Sequence, residues 1–350
     1  MAEKAEVSIG ATVKYNPHLW SKDELRAIFV ARTRELADII KRLHEIEHDK
    51  APQHLLITGA RGMGKSTLLN RIALAVKDDA DLSSLWLPLV MPEEQYTISS
   101  LTELWLNVLG VLADTWELQG SHQQTLMQLD QKVAGIKNLN ADTQEAAALG
   151  LLLEVIKQDG RRILLLLDST DQLFASLGTD QTKTGNQTTG STQLWRLRKT
   201  LTHTSELFWV GTSYQSLEVS QQYNDAFHDF FELIELRPLT LEEMRNAMLA
   251  LARTFGIGGN PPGENAAAEM QSNLDAHPER LKTLRAITGG NPRTTVILYD
   301  LFAASWQEDL QSDLKALLDS MTPLYKARME NLAEQPRKIL AHIMEHWAPI

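Results

Sequence analysis

The sequence contains no cysteine. That absence excludes disulfides, thiolate metal sites and a cysteine nucleophile together. No stretch approaches the run of about 18 apolar residues that a membrane-spanning helix needs. The opening MAEKAEVSIGATVKYNPHLW has no apolar run of signal-peptide length, so the expected compartment is the cytoplasm. Positive charge is scarce as well: 34 Lys and Arg stand against 45 Asp and Glu, a formal net charge of -11. Such a surface repels nucleic acid as a whole, so a DNA contact would have to come from a local basic region. What remains is a globular balance, 43% hydrophobic and 23% charged, which excludes wholesale disorder. A chain of 350 residues suits two or three compact units.

Along the chain, residues 1–20 read as an irregular arm. Ser21 followed by Glu24 is a capping-box pattern that opens a helix to about Val30. Leu36, Ile39, Ile40, Leu43 and Ile46 recur at helical spacing and mark a second helix with one apolar stripe. Short apolar runs then alternate with helical patterns. HLLITG (54–59), SLWLPLVM (84–91), RRILLLLD (161–168), LFWVGTS (207–213) and FELIEL (231–236) read as strands. Residues 101–116 and 144–158 read as helices between them, which predicts a parallel sheet covered on both faces. The stretch from Gly178 to Gln193 is Gly, Thr, Gln and Asn with almost nothing apolar, and predicts a mobile loop. Beyond Leu236 the pattern is helical, broken at GIGGNPPGEN (256–265).

Gly59-Ala60-Arg61-Gly62-Met63-Gly64-Lys65-Ser66 matches G-x-x-x-x-G-K-[ST] in full. A buried strand precedes it and TLLNRIALAV opens a helix after it, the setting a phosphate loop requires. The glycines let successive backbone N–H groups turn toward the β- and γ-phosphates, and the helix N-terminus adds its positive dipole end. In this reading Lys65 reaches the β/γ oxygens, Ser66 ligates Mg²⁺ and Thr67 lies near the α-phosphate. The alternative is a Gly-rich turn with a chance lysine. The second half of such a site is a carboxylate at the end of a buried strand. Asp168, after Ile163–Leu167, supplies it and would hold Mg²⁺ through its water shell; its alternative is a helix cap.

Arg162-Ile163-Leu164-Leu165-Leu166-Leu167-Asp168-Ser169-Thr170-Asp171-Gln172-Leu173-Phe174 resembles the Walker B region of AAA+ ATPases, most closely the initiator-type (Orc1/Cdc6-like), archaeal and STAND-related ATPases. Other segments resemble the same group in the same order. Phe29-Val30-Ala31-Arg32-Thr33-Arg34-Glu35-Leu36 resembles its adenine-flanking segment, and Val210-Gly211-Thr212-Ser213 its sensor 1 strand end. Leu239-Thr240-Leu241-Glu242-Glu243 resembles the opening of the helical lid. Thr288-Gly289-Gly290-Asn291-Pro292-Arg293 resembles the sensor 2 helix start, and Glu334-Gln335-Pro336-Arg337-Lys338-Ile339-Leu340 the first helix of a winged-helix domain. The resemblance implies an α/β P-loop NTPase with a five-stranded parallel sheet, a helical lid and the start of a C-terminal winged-helix-like segment. It implies an N-terminal arm over 1–25, an ATPase core over 26–238, a lid over 239–305 and a helical segment over 306–350. It adds Val30, Ser213 and Arg293 to the nucleotide-contacting residues, Arg293 as the reader of the γ-phosphate from the first turn of a lid helix. ATP and Mg²⁺ are the cofactors so implied.

Two departures bear on mechanism. Ser169 stands where the group's catalytic glutamate falls and cannot act as a base; Asp171 is the nearby candidate to replace it, with a helix cap as its alternative. The segment YQSLEVSQQYNDAFHDFF (214–231) contains no Arg or Lys. An arginine finger is worth on the order of 10³–10⁵ in rate, so the expectation is an ATPase of slow turnover that acts as a nucleotide-held switch. Arg196, Arg198 and Lys199 on the preceding helix could act across an interface or form a solvated basic face.

His44-Glu45-Ile46-Glu47-His48 and His342-Ile343-Met344-Glu345-His346 match zinc-protease spacings. A zinc site needs a third ligand and a cleft, and both are expected to be chance matches. From Pro323 to Ile350, Lys326, Arg328, Arg337 and Lys338 face Glu330, Glu334 and Glu345, a mildly basic balance. A winged helix needs further elements beyond Ile350, so a DNA contact is expected only through a region missing or truncated there. The expected partners are ATP or ADP, and a second copy of the chain or a protein partner. No membrane is expected.

Overall fold

The computed structural model describes residues 20–47, 50–91, 98–178, 189–214, 226–257 and 260–304, and isolated positions at 315, 334–335 and 338–339. It divides into two compact units, one ending at Pro238 and the other beginning at Leu239. Among the described residues no helix is long and apolar enough to cross a membrane.

The first unit opens with α1 (Lys22–Ile28), where Ser21 and Glu24 form both halves of the expected capping box. The chain continues through α2 (Thr33–Glu45), β1 (Leu55–Thr58), α3 (Lys65–Asp78), α4 (Ala80–Leu85) and β2 (Trp86–Val90). Three helices follow, α5 (Leu101–Gln119), α6 (Gln123–Lys137) and α7 (Ala141–Asp159). The unit closes with β3 (Arg162–Leu167), α8 (Thr170–Gly178), α9 (Thr189–His203), β4 (Leu207–Ser213) and β5 (Glu232–Glu235). The five strands form one sheet in the order β2-β3-β4-β1-β5, every pair parallel. All five are the runs read from sequence.

Side chains alternate across a strand, so each inner strand feeds both faces of the sheet. Ile163, Leu165 and Leu167 join Leu207, Trp209 and Leu56 in a core covered by α5, α7, α8 and α9. Leu164 and Leu166 join Phe208, Val210, Leu55 and Ile57 in a second core covered by α2 and α3. Burial on both faces explains why these strands are apolar runs rather than alternating ones.

One expectation needs correction, and one helix lies outside those read from sequence. The helix α6 was not expected; Leu129 and Ile136 are buried, with Leu126 and Val133 packed beside them. The loop expected over Gly178–Gln193 is helical at both ends, since Gly178 closes α8 and α9 begins at Thr189. Gln193 is anchored, its side-chain oxygen accepting from the Leu101 N–H at 3.1 Å. Residues 179–188 lie outside the described residues.

The second unit contains α10 (Leu241–Phe255), α11 (Glu264–Ala276), α12 (Pro278–Thr288) and α13 (Pro292–Ala304). Thr240 and Glu243 cap α10 reciprocally. Met244, Met248, Leu251, Met270, Leu274, Leu298 and Tyr299 fill its interior. The segment over 306–350, expected to resemble the start of a winged helix, lies almost wholly outside the described residues.

Candidate nucleotide site

β1 is buried at all four residues and delivers the chain to Gly59 just past its C-terminal end. Gly59 has φ 155°, and a Cβ there would stand 3.3 Å from both the Cβ and the carbonyl oxygen of Leu236. Gly64 has φ 87° with open space around its Cβ position, so the demand there is conformational rather than steric. That left-handed residue ends the loop, and α3 starts at Lys65 with no acidic residue in its first turn. The free N–H groups of the first turn and the dipole therefore present positive potential that nothing on the helix offsets.

The Lys65 ammonium donates to the carbonyls of Gly59 at 2.7 Å and Ala60 at 3.3 Å. Burial pushes it below the usual lysine range; the Asp168 and Asp171 carboxylates pull it back up, and Arg61 adds repulsion. Ser66 and Thr67 follow as half-buried residues of the same turn. Ala60 and Arg61 are exposed. Met63 differs from the other loop residues: its side chain is buried in the core against α3, and its N–H donates to the Ala60 carbonyl at 3.3 Å.

Asp168 stands one residue past β3. The Ser66 hydroxyl donates to its Oδ2, closing the loop and the strand end across 102 residues of chain. Oδ1 accepts from the Thr212 hydroxyl, and also from the Ser169 N–H at 3.0 Å. The same N–H lies 2.9 Å from Thr212 Oγ1. Ser169 holds this geometry in the left-handed region, φ 54°, unusual for a residue with a side chain. Its carbonyl then accepts from Gln172 and Leu173, starting α8. Asp171 is half-buried in the first turn of α8, where its charge acts on Lys65.

Lys65, Ser66, Asp168 and Asp171 are thus brought together. Thr212 is the member that sequence reasoning missed; its neighbour Ser213 was singled out instead. Ser213 is buried beside Thr58, its register partner on β1. Val30 lies between α1 and α2, half-buried, and the adjacent Phe29 ring lies 5.9 Å from the Arg71 guanidinium carbon of α3. Arg32 is buried and donates to the Arg237 carbonyl, tying this segment to the end of β5. Arg293 is exposed at the start of α13 in the second unit, its N–H bonded to Asn291 Oδ1 at 2.9 Å.

Arg196 and Arg198 of α9 are engaged within the first unit. Arg198 donates to the carbonyls of Ala226 at 2.6 Å and His228 at 3.1 Å, and Arg196 pairs with Glu145 at 2.9 Å. Of the zinc-like motifs, His44 bonds Asp79 at 3.1 Å, while His48, His342 and His346 lie outside the described residues. Among the described residues no cluster of three or more His, Cys, Asp and Glu could hold a metal. The Ser66–Asp168 pair fits another kind of cation site. One hydroxyl and one carboxylate meeting beside a phosphate loop suit Mg²⁺, which keeps most of its waters.

The NACHT domain model matches residues 53–251, more than half of the chain. A comparison with curated proteins finds no match. Among solved structures, the chain is similar to the Aeropyrum pernix ORC1 protein, solved in complex with DNA. The TM-score is 0.50 at 14% identity, over 94% of this chain and 78% of that one. The Aeropyrum pernix ORC2 protein, solved as ADPNP-ADP complexes, matches with a TM-score of 0.49 at 11% identity, over 83% of this chain and 68% of that one. At 14% identity the likeness to ORC1 shows the fold alone, an α/β P-loop NTPase fold.

Proposed function

The chain belongs to the NACHT family of NTPases, and from that premise we propose that it binds ATP with Mg²⁺ and hydrolyses it slowly, as an assembly or conformational switch. The observation that carries this reading is the Ser66–Asp168 hydrogen bond beside the Lys65 ammonium. It joins the two halves of a nucleotide site that lie far apart in sequence. Gly59, Ala60, Arg61, Gly62, Met63 and Gly64 contribute the loop backbone to the phosphates. Lys65 supplies the charge, Thr67 lies at the α-phosphate, and Val30 and Ser213 complete the nucleotide contacts. Ser66 and Asp168 would hold Mg²⁺, which neutralises charge developing on the phosphate oxygens. Asp171 is the residue we assign to positioning or deprotonating water. The cap alternative for it is weakened because Ser169 occupies the cap position of α8.

Slow turnover follows from Ser169, which has no carboxylate, and from the Arg- and Lys-free segment 214–231. The inward bonds of Arg198 further weaken it as a residue acting in trans. We take 26–238 as the ATPase core, 239–305 as the lid and 306–350 as a winged-helix-like segment, in the cytoplasm. Arg293 is assigned to the γ-phosphate on its sequence resemblance.

The switch would be read either by a DNA-linked assembly or, in a second reading, by a protein partner as in STAND-like signalling NTPases. The net charge of -11 and the weak hydrolytic machinery favour the second. Light scattering of the purified chain with no nucleotide, ADP or ATP, each with and without duplex DNA, tests the proposal. ATP-dependent assembly on DNA supports the first reading, and a nucleotide-dependent size change indifferent to DNA supports the second. A size and shape independent of nucleotide would refute the switch.

A further inference from the structure

A carboxylate offers about four lone-pair directions on its two oxygens. On Asp168 the two oxygens are not equivalent. Oδ1 accepts from two groups of the protein, the Thr212 hydroxyl and the Ser169 N–H, while Oδ2 accepts from Ser66 alone. Thr212 is fixed for this task. Its side chain is 0% exposed, and β4 places it in register with Ile57 on one side. On the other side Gly211 pairs with Leu167, which puts Asp168 level with Thr212. Its own oxygen lies within hydrogen-bond reach of the Ser169 N–H, so the single hydroxyl proton is directed at Asp168.

Resting on the reading of this site as one for ATP and Mg²⁺, we infer that Thr212 is a positioning residue that sets its cation preference. With Oδ1 occupied by two donors, Asp168 faces a cation through Oδ2 only. A single oxygen facing the ion suits Mg²⁺, which demands near-octahedral geometry and is met through a water of the shell it retains. It disfavours Ca²⁺, which takes more oxygens and commonly engages both of a carboxylate. Removing the Thr212 hydroxyl frees a lone pair on Oδ1 and releases the carboxylate to rotate.

The test is binding of a fluorescent ATP analogue to the full chain with Mg²⁺, with Ca²⁺ or with a chelator. Wild type is compared with Thr212→Val, which preserves shape without the hydroxyl, and Thr212→Ser, which restores it. Outer-shell partners of metal ligands are worth about 10–100-fold in metal affinity, so Thr212→Val should weaken Mg²⁺-supported binding about tenfold. Ca²⁺-supported and metal-free binding should hold, so the Mg²⁺/Ca²⁺ ratio collapses, and Thr212→Ser should recover it. Should Thr212→Val fail to fold, Thr212→Ala carries the same comparison. A wild-type ratio in the hydroxyl-free variant overturns the inference while leaving the ATP·Mg²⁺ reading intact. Wild-type affinity identical with Mg²⁺ and with chelator overturns that reading and the inference with it.

Discussion

His54, on the approach to β1, offers a test of the core that is independent of any ligand. Its Nδ1 accepts from the Trp209 N–H at 3.1 Å, so its proton sits on Nε2 and is donated to the Leu201 carbonyl at 3.1 Å. The ring is enclosed by Phe208, Phe230 and Phe231, with centroids at 6.3, 5.4 and 6.4 Å. A second proton would face the Trp209 N–H, donor against donor, in a buried site. Burial accordingly lowers its pKa from 6.5 to about 4, against the opposing pull of the Leu201 carbonyl. Because the folded value is depressed, the unfolded chain takes up a proton below pH 6.5 while the folded chain resists until about pH 4. Stability is therefore fully present above pH 6.5 and falls with acidification across that window. At about 1.4 kcal/mol per unit, the loss amounts to about 3 kcal/mol at pH 4. Urea unfolding at half-unit steps from pH 7 to 4.5 measures it. His54→Asn keeps an acceptor for Trp209 and cannot titrate, so it should be less stable at pH 7 yet lose less on acidification. Parallel pH profiles for the two proteins would refute the assignment of a neutral buried imidazole.

Other residues give equally direct tests. A Cβ at Gly211 would meet Thr170 Oγ1 at 2.2 Å and Trp209 Nε1 at 2.7 Å, so Gly211→Ala should destabilise the first unit by about 1–3 kcal/mol; an unchanged urea midpoint would contradict this packing. Asp159, 2% exposed, accepts from Arg161 at 2.6 Å and from Trp116 at 2.9 Å. Asp159→Ala strands the Arg161 guanidinium and should cost about 3 kcal/mol by the same assay, whereas a loss below about 1 kcal/mol would rank the pair with ordinary surface bridges. Turnover of the isolated chain should fall below about 1 s⁻¹, and Asp171→Asn should lower it about a hundredfold with nucleotide affinity retained. Fast hydrolysis by dilute protein, or an active Asp171→Asn variant, would show that the catalytic groups lie elsewhere.

The inner sheet was legible because β1, β3 and β4 are short apolar runs buried on both faces, which leaves no other pattern to confuse them. The phosphate loop was legible for a related reason: its glycines, lysine and serine are contiguous, so their geometry is local. The helix α6 was harder. Leu126, Leu129, Val133 and Ile136 do follow helical spacing, but glutamines and an exposed Met127 dilute the signal. Thr189–Gln193 misled by composition: a polar segment reads as a loop, while Gln193 is held by a bond to the start of α5 that only the tertiary fold supplies. Thr212 was passed over for a third reason. Its contact with Asp168 depends on the β3–β4 register, which no local pattern reveals, and either hydroxyl at the end of β4 would have been a fair choice from sequence.

The central claim, an ATP·Mg²⁺ site built on Lys65, Ser66 and Asp168, is tested most directly by ligand-induced stabilisation. Thermal unfolding is followed with and without ATP·Mg²⁺ for the wild type and for Lys65→Ala. Mass action predicts about 2.7 kcal/mol of added stability at a hundredfold excess of ligand over Kd. Lys65→Ala, whose fold should persist because the side chain is only partly buried, should lose most of that gain. A wild-type melting temperature unmoved by ATP·Mg²⁺, or an equal shift in Lys65→Ala, would contradict the site as described.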